Sequence, residues 1–510
     1  MRKTTILSLL ALATAAAAPA QTQAQAQNGR PVAFTNARLI TISGKTIERG
    51  TLVVKNGKID AIGADAVVPA GARIVDATGM TILPGLVSAW SRAGLTPPPS
   101  QITQRGGDRR GGRGDLQRFG GGGGGSAQNR AATKVMDGLY ARQPVFGELL
   151  RTGITSLALT PSGNAFAGLG ALLRPDGKTM EELRLDDDAF VFVGMSRDGP
   201  TKKLLKETFE KAQKVVEARK KPPEKAAAPT ATETKPGEGK PGDGKTEAPK
   251  GEPAPTPKPT PEPPKPEPPK PEPPKPEPPK PEPPKPEPPK PEPPKPEPPK
   301  PDSPKPDDKK EAAASSARPE PAKDPNLEVL ADLLEGKRRA IVQIDSAADL
   351  LHWHDAVADA VKFPRTIAVS RHDSFAGTFD TVIEETKSLG CAVLLPPELS
   401  TVPRARIQTH PARKLHEAGI EVGFLIGDSP AAVRMLFFRL MELVRTGLPA
   451  DVALRGVTLV PAKALGIDSR TGSLDVGKNA DLLVFRGDPL SPSSRLESVW
   501  LGGREVPPQP

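Results

Sequence analysis

The sequence predicts an α/β chain built around a closed (β/α) barrel and interrupted by non-globular insertions. Two observations carry the prediction. Short apolar runs alternate with amphipathic helical stretches on both sides of the middle of the chain, which implies parallel βα units in numbers that favour a closed barrel over an open sheet. The 64 prolines and 48 glycines among 510 residues are concentrated in two patches, so the chain is a mosaic and not uniformly disordered.

Taken in order, residues 1–20, "MRKTTILSLLALATAAAAPA", have a basic start at Arg2 and Lys3, an apolar run and a small-x-small site at Ala18 and Ala20. This is the pattern of a bacterial-type secretory signal, too short to span a bilayer, and it predicts a periplasmic or secreted protein with no transmembrane helix in the mature chain. "TLVVKNGKIDAIG" then reads as a hairpin: strand Leu52 to Lys55, a type I′ pair Asn56-Gly57, and strand Lys58 to Ile62. "LPGLVSAWSRAGL", Leu83 to Leu95, is a short apolar strand ending in polar residues. "VMDGLYARQPVFGELLRTG" is expected as an amphipathic helix, "ITSLALTP" as a buried strand and "TKKLLKETFEKAQKVVEAR" as another helix. Beyond the insertion the expected order is helix Asn326 to Glu335, strand "AIVQI", helix Ala347 to Val361, strand "TIAVS", helix Phe379 to Leu389 and strand "CAVLL". Helix Ala412 to Ala418, strand "EVGFLIG" and helix Ala431 to Thr446 complete it.

Two stretches are expected not to fold. From Pro261 to Lys300 the unit PEPPK repeats eight times. Proline fixes φ and lacks an N–H, so neither helix nor sheet propagates and polyproline II remains. At about 3.1 Å per residue those forty residues reach on the order of 120 Å. The whole Pro/Lys/Glu-rich segment 221–325 is expected to be disordered, a neutral spacer able to reach an envelope protein or polymer; a ligand for a proline-reading module is the alternative. The Gly/Arg-rich loop, residues 97–130, has the look of an RNA-binding tail, but an export signal argues for a flexible loop instead.

Charge sharpens this reading. The signal contributes +2, residues 105–118 contribute +3 and residues 201–250 contribute +5, which accounts for the whole net charge of +10. The foldable part is therefore neutral, and nucleic acid is not an expected partner. The single cysteine, Cys391, lies in an apolar run and reads as a buried inert thiol.

Both ends of the foldable part carry a family resemblance. "GTLVVKNGKIDAIGADAVVPAGARIVDATGMTILPGLVSAW" resembles the N-terminal signature of the amidohydrolase superfamily in its imidazolonepropionase-like branch, and "ALRGVTLVPAKALGIDSRTGSLDVGKNADLLVFRGDPL" resembles that family's C-terminal signature. The resemblance implies a TIM-like (β/α)8 barrel, residues 84–220 and 326–467. A small composite β-sandwich domain would be built from both termini, residues 31–83 and 468–507. It also implies metal-dependent hydrolysis of non-peptide C–N bonds such as those of cyclic amides, with the metal at the C-terminal ends of the strands.

The metal ligands are where the sequence departs from the family. The His-x-His pair of the first strand falls on Trp90 and Arg92. An indole N–H only donates, and a guanidinium is a permanent cation. No histidine precedes His352. The fifth-strand histidine falls on or near Asp345, and the sixth on Arg371 or His372, a register ambiguous by one. Asp428, in "IGDSP", stands where the family has its last-strand aspartate, metal ligand and general base.

Two readings follow. In the first, the barrel is degenerate, needs no cofactor and holds a small-molecule ligand or acts as a scaffold, with Trp90 filling the vacated cavity and Arg92 binding an anion or pairing with Asp428. In the second, Asp345, His372 and Asp428 hold zinc or another divalent metal, and Asp428 is catalytic in a working hydrolase. "HWHD", with His352 and His354, has helical placement that points i and i+2 apart. His410 and His416 are expected to be solvated. A homo-oligomer is compatible with either reading.

Overall fold

The computed structural model describes residues 30–95, 127–220, 323–358, 361–370, 379–402 and 405–507. The expected signal, the Pro-rich repeats, nearly all of the Gly/Arg-rich loop, and Arg371 with His372 lie outside the described residues.

In chain order the strands are β1 (Val32–Leu39), β2 (Ile47–Lys55), β3 (Lys58–Gly63), β4 (Arg73–Asp76), β5 (Met80–Pro84), β6 (Leu86–Ser91), β7 (Gln128–Asn129), β8 (Ile154–Leu159), β9 (Ala165–Leu173) and β10 (Arg184–Gly194). They continue as β11 (Ala340–Ile344), β12 (Arg365–Val369), β13 (Val393–Leu395), β14 (Ser400–Thr401), β15 (Gln408–Thr409), β16 (Val422–Phe424), β17 (Leu482–Arg486), β18 (Arg495–Leu501) and β19 (Arg504–Glu505).

The two chain ends share one sheet, in the order β19-β18-β17-β5-β1-β2-β3 with β4 beside β1. The β2–β3 hairpin turns on Asn56 (φ 52°) and Gly57 (φ 78°), the left-handed pair that a type I′ turn needs and that Asn-Gly supplies at low cost. One face of this sheet buries Phe34, Leu52, Ile82, Leu482 and Trp500, with the Phe34 ring edge-on to Trp500 at 4.9 Å.

Gly85 carries the chain from this sheet into the barrel. Its N–H donates to the Asp481 carbonyl at 2.9 Å, and a Cβ there would lie 2.2 Å from Thr155 Oγ1, so only glycine permits the close crossing. The buried Asp481 carboxylate accepts from Arg174 and from the Gly502 N–H, each at 2.8 Å. Burial pushes this carboxyl up, while Arg174 and the Gly502 amide pull it down.

The second sheet runs β6-β8-β9-β10-β11-β12-β13-β16 and curls on itself. β6, β8, β10, β11, β12, β13 and β16 run parallel to one another, whereas β9 is antiparallel to both β8 and β10. Between β16 and β6 the backbone of the next segment fills the gap: the Phe424 N–H donates to the Gly456 carbonyl at 2.7 Å and the Val87 N–H to the Val457 carbonyl at 3.0 Å. The result is a TIM-like α/β fold whose third place is taken by a reversed strand.

That strand corrects the expectation of uniform βα units, and neither β9 nor β10 was foreseen. "AFAGLGALL" is too rich in Ala and Gly to read as a strand, and β10 carries three consecutive Asp, Asp186 to Asp188, in its first half. The single helix expected over residues 135–153 is also corrected. A 3₁₀ turn Val135–Gly138 and a helix Val145–Arg151 replace it, because Gly138 and Pro144 interrupt the pattern. The helix expected over Ala347 to Val361 runs only to Trp353 before loosening into a π turn at His354–Ala358.

Side chains sort by strand phase. Ile344, Val369, Leu395 and Ile426 face outward under the helices. Phe190, Phe192, Ile341, Ala368 and Leu394 face inward and meet Val460, Ala462 and Leu465 of the helix Leu459–Leu465. A Cβ at Gly170 of β9 would stand 2.1 Å from the Phe190 ring, so the small residues of β9 make room for the aromatic rings that fill the interior.

Candidate functional site

The C-terminal ends of the parallel strands bring Trp90 to Arg92, Asp345, Ser370 and Asp428 to one mouth. Trp90 belongs to the inward cluster, half-buried, with its ring 5.1 Å from the fully buried Phe192 at an interplanar angle of 62°. An edge-to-face contact of that kind crosses the barrel from its first strand to its fourth. The indole thus occupies interior space.

Arg92 behaves otherwise. Its side chain is exposed, and it is the backbone N–H that meets Asp428, donating to Oδ2 at 2.8 Å. The Ser91 hydroxyl lies near enough to favour the ionised Asp428 carboxylate. The Arg92 bond links the segment after the last strand to the end of the first, between which no strand pairing is found among the described residues.

Asp428 Oδ1 lies out of solvent with no hydrogen-bond partner among the described residues. Burial pushes the carboxyl up, and the Ser91 hydroxyl, the Arg92 N–H and the Arg92 charge act against that. An ionised carboxylate held this way is under-compensated.

Asp345 follows Gln343 in phase. It accepts from the Ser370 hydroxyl and, at 3.3 Å, from Gln343 Nε2, which also donates to Ser370 Oγ at 2.9 Å. The Asp345 N–H in turn donates to Asp349 Oδ2 at 3.2 Å, and Asp349 pairs with Arg197 at 3.1 Å. Gln343 and Ser370 are parts of the mouth that sequence reasoning missed. Their signal is the strand phase that places Gln343 two residues before Asp345.

The remaining histidines are structural. His352 Nδ1 stands 3.4 Å from Lys202 Nζ and His354 Nε2 lies 3.0 Å from the Glu385 carbonyl, so the two rings diverge as helical spacing requires. His410 corrects an expectation: it is buried, not solvated. Its Nδ1 accepts the Ala412 N–H at 3.1 Å, which leaves the proton on Nε2 to be donated to the Pro396 carbonyl at 2.9 Å. His416 is half-buried. Burial pushes the Cys391 thiol up to about 11, which agrees with an inert role.

One other acidic group stands at the far end of the barrel. Asp186, Asp187 and Asp188 lie together at the start of β10. Asp187 pairs with Lys134 at 3.0 Å and Asp188 with Arg338 at 3.1 Å, so cations of the chain already balance this cluster. A groove of about 600 Å³ runs between the helix Gly199–Lys220 and residues 354–357 with Val361, on the outside of the barrel and away from the strand ends.

Three comparisons bear on this geometry. The model of the amidohydrolase family matches residues 322–506. Imidazolonepropionase from Pseudomonas aeruginosa (strain UCBPP-PA14) is 33% identical over 127 residues, 24% of this chain and 30% of that protein. The imidazolonepropionase of Syntrophobacter fumaroxidans is 28% identical over 158 residues, 30% of this chain and 36% of that one. The solved amidohydrolase from Thermotoga maritima MSB8 shares the fold at a TM-score of 0.59 with 18% identity, covering 94% of this chain and 100% of that one. Residues 322–506 are thus similar to the amidohydrolase family, and parts of the chain are similar to imidazolonepropionases. It spans about a third of the length of the curated relatives it matches.

A metal-binding amidohydrolase needs several lone-pair donors converging on one ion. In this chain Trp90 and Arg92 stand at the end of the first barrel strand, and neither offers one. Asp345 already takes the Ser370 and Gln343 protons. Among the described residues no group of three ligand-type side chains gathers at the mouth. The donors described there do not fit the family's metal.

Proposed function

We propose that this amidohydrolase barrel has lost its hydrolytic metal site and serves as a binding or scaffold module for a small molecule. One observation carries the reading: the indole of Trp90, packed edge-on against Phe192, stands where an imidazole would reach a metal. Asp428 then has a structural task, holding the ends of the first and last strands together through Ser91 and Arg92. Metal content of the purified mature chain tests this: the expected result is no stoichiometric zinc, iron or manganese. An ion bound by His372 and Asp428 would overturn the reading.

A second reading rests on the open Oδ1 of Asp428. In it, zinc or another divalent cation bound by Asp428 with Asp345 and His372 lowers the pKa of a bound water and polarises a cyclic-amide or similar C–N bond. It predicts metal-stimulated hydrolysis that Asp428→Asn abolishes.

The setting is part of the proposal. The signal-like residues 1–20 support export to the periplasm or beyond. The shared sheet of the two chain ends supports a composite domain of residues 31–83 and 468–507. The PEPPK repeats support a disordered spacer that reaches an envelope partner. Deleting residues 225–322 is expected to leave the barrel folded and to abolish capture of that partner; retained capture would remove the spacer role.

A further inference from the structure

Exposure at the mouth depends on which way a residue faces. Outward-facing Ile344, Val369 and Ile426 are at most 2% exposed, whereas Trp90, Gln343, Asp345, Ser370 and Leu425 are half-buried. The inward-facing side chains at the strand ends thus keep some exposure, with Trp90 and Leu425 packed on the inward cluster and Phe192 against Trp90. Two carboxylates border the mouth, Asp345 and Asp428, and one oxygen of Asp428 has no partner among the described residues. The Arg197 guanidinium is drawn off to Asp349, and the Arg92 side chain is exposed.

We propose that the mouth of the barrel binds a small organic cation, an alkylammonium or alkylguanidinium, with its apolar stem against Trp90 and its charged head towards Asp345 and Asp428. The proposal rests on the reading that no metal occupies this place. A π face attracts a cation and shelters an alkyl stem, and neither property serves a hydrated divalent ion as imidazoles do. The fixed N–H fork of a guanidinium suits a carboxylate that has one oxygen unused. The exchange of imidazole for indole is then a change of ligand, from metal to organic cation, with Asp428 kept for its charge.

The test uses the full chain after metal analysis, titrated with butylguanidinium and with its neutral isostere butylurea, following tryptophan fluorescence and calorimetric heat. Butylguanidinium is expected to saturate below about 10 mM and butylurea to bind at least tenfold more weakly. Asp428→Asn and Asp345→Asn, both close in shape to the original, are each expected to weaken butylguanidinium about tenfold, and Trp90→Leu more than Trp90→Phe. Near-ultraviolet circular dichroism of each variant separates lost binding from lost fold, and Asp345→Asn stands in should Asp428→Asn not fold. Equal binding of the urea, no saturation, or affinity unchanged in both Asn variants would overturn the proposal. Stoichiometric metal in the purified chain would instead overturn the metal-free reading, so the two failures are distinguishable.

Discussion

The contact between Trp90 and Phe192 sets a measurable expectation for how the mouth is built. Phe192 is fully buried in the interior, so Phe192→Ala removes a whole ring from a packed space and is expected to cost about 3–5 kcal/mol. Trp90 is half-exposed, so truncation to alanine forfeits only part of that range, about 2 kcal/mol. The edge-to-face geometry at 5.1 Å adds a pairwise contribution of about 1 kcal/mol that either substitution alone removes. The double variant is therefore expected to cost about 1 kcal/mol less than the two single variants together. Urea unfolding of all four proteins, followed by far-ultraviolet circular dichroism with the slopes compared, measures this coupling. If Trp90→Ala cost less than about 0.5 kcal/mol and showed no coupling to Phe192, the indole would be a surface group and the cavity-filling argument would fail.

Three further outcomes follow from the buried ionisable groups. Burial raises the Asp428 carboxyl, and a carboxyl raised on folding stabilises the native state below its unfolded pKa and loses that contribution as pH rises through the folded value. Asp428→Asn, which keeps the acceptor for Arg92, should gain stability relative to the parent as the pH rises above 3.8, the ordinary value for the carboxyl; a relative loss over that rise contradicts the desolvation argument. Asp481→Ala leaves Arg174 and the Gly502 N–H without their acceptor and should cost about 3 kcal/mol in urea unfolding, with Asp481→Asn costing less because Gly502 keeps a partner. With its thiol pushed up to about 11 from 9.0, Cys391 should react with a disulfide reagent at pH 8 about a hundredfold more slowly in the folded chain than in urea; comparable rates would show an accessible thiolate.

Local signals made much of the architecture legible. Asn56-Gly57 specifies its turn by backbone preference alone, and runs such as "AIVQI" and "TIAVS" are apolar on both faces because each is covered on both sides in a parallel sheet. The chemistry of Trp90 and Arg92 was also readable, since neither an indole nor a guanidinium offers a lone pair to a cation. β9 was not legible, because a residue such as Gly170 fits the Phe190 ring of a neighbouring strand and does not reflect strand propensity. His410 misled for a related reason: one ring nitrogen is met by the Ala412 N–H two residues on, but the other is met by the Pro396 carbonyl, fourteen residues away, which the local sequence does not reveal.

The sequence by itself determined which atoms are available at the mouth: the Trp90 indole, the Arg92 guanidinium and the Asp345 and Asp428 carboxylates. Only the tertiary structure decided what those atoms do. It set the Arg92 backbone and not its side chain on Asp428, turned Trp90 inward onto Phe192, and brought Gln343 and Ser370 to Asp345. Residue identity fixes lone pairs, charge and volume, but partnership depends on which strand ends the curled sheet brings within hydrogen-bond reach, and that is a property of the closed ring.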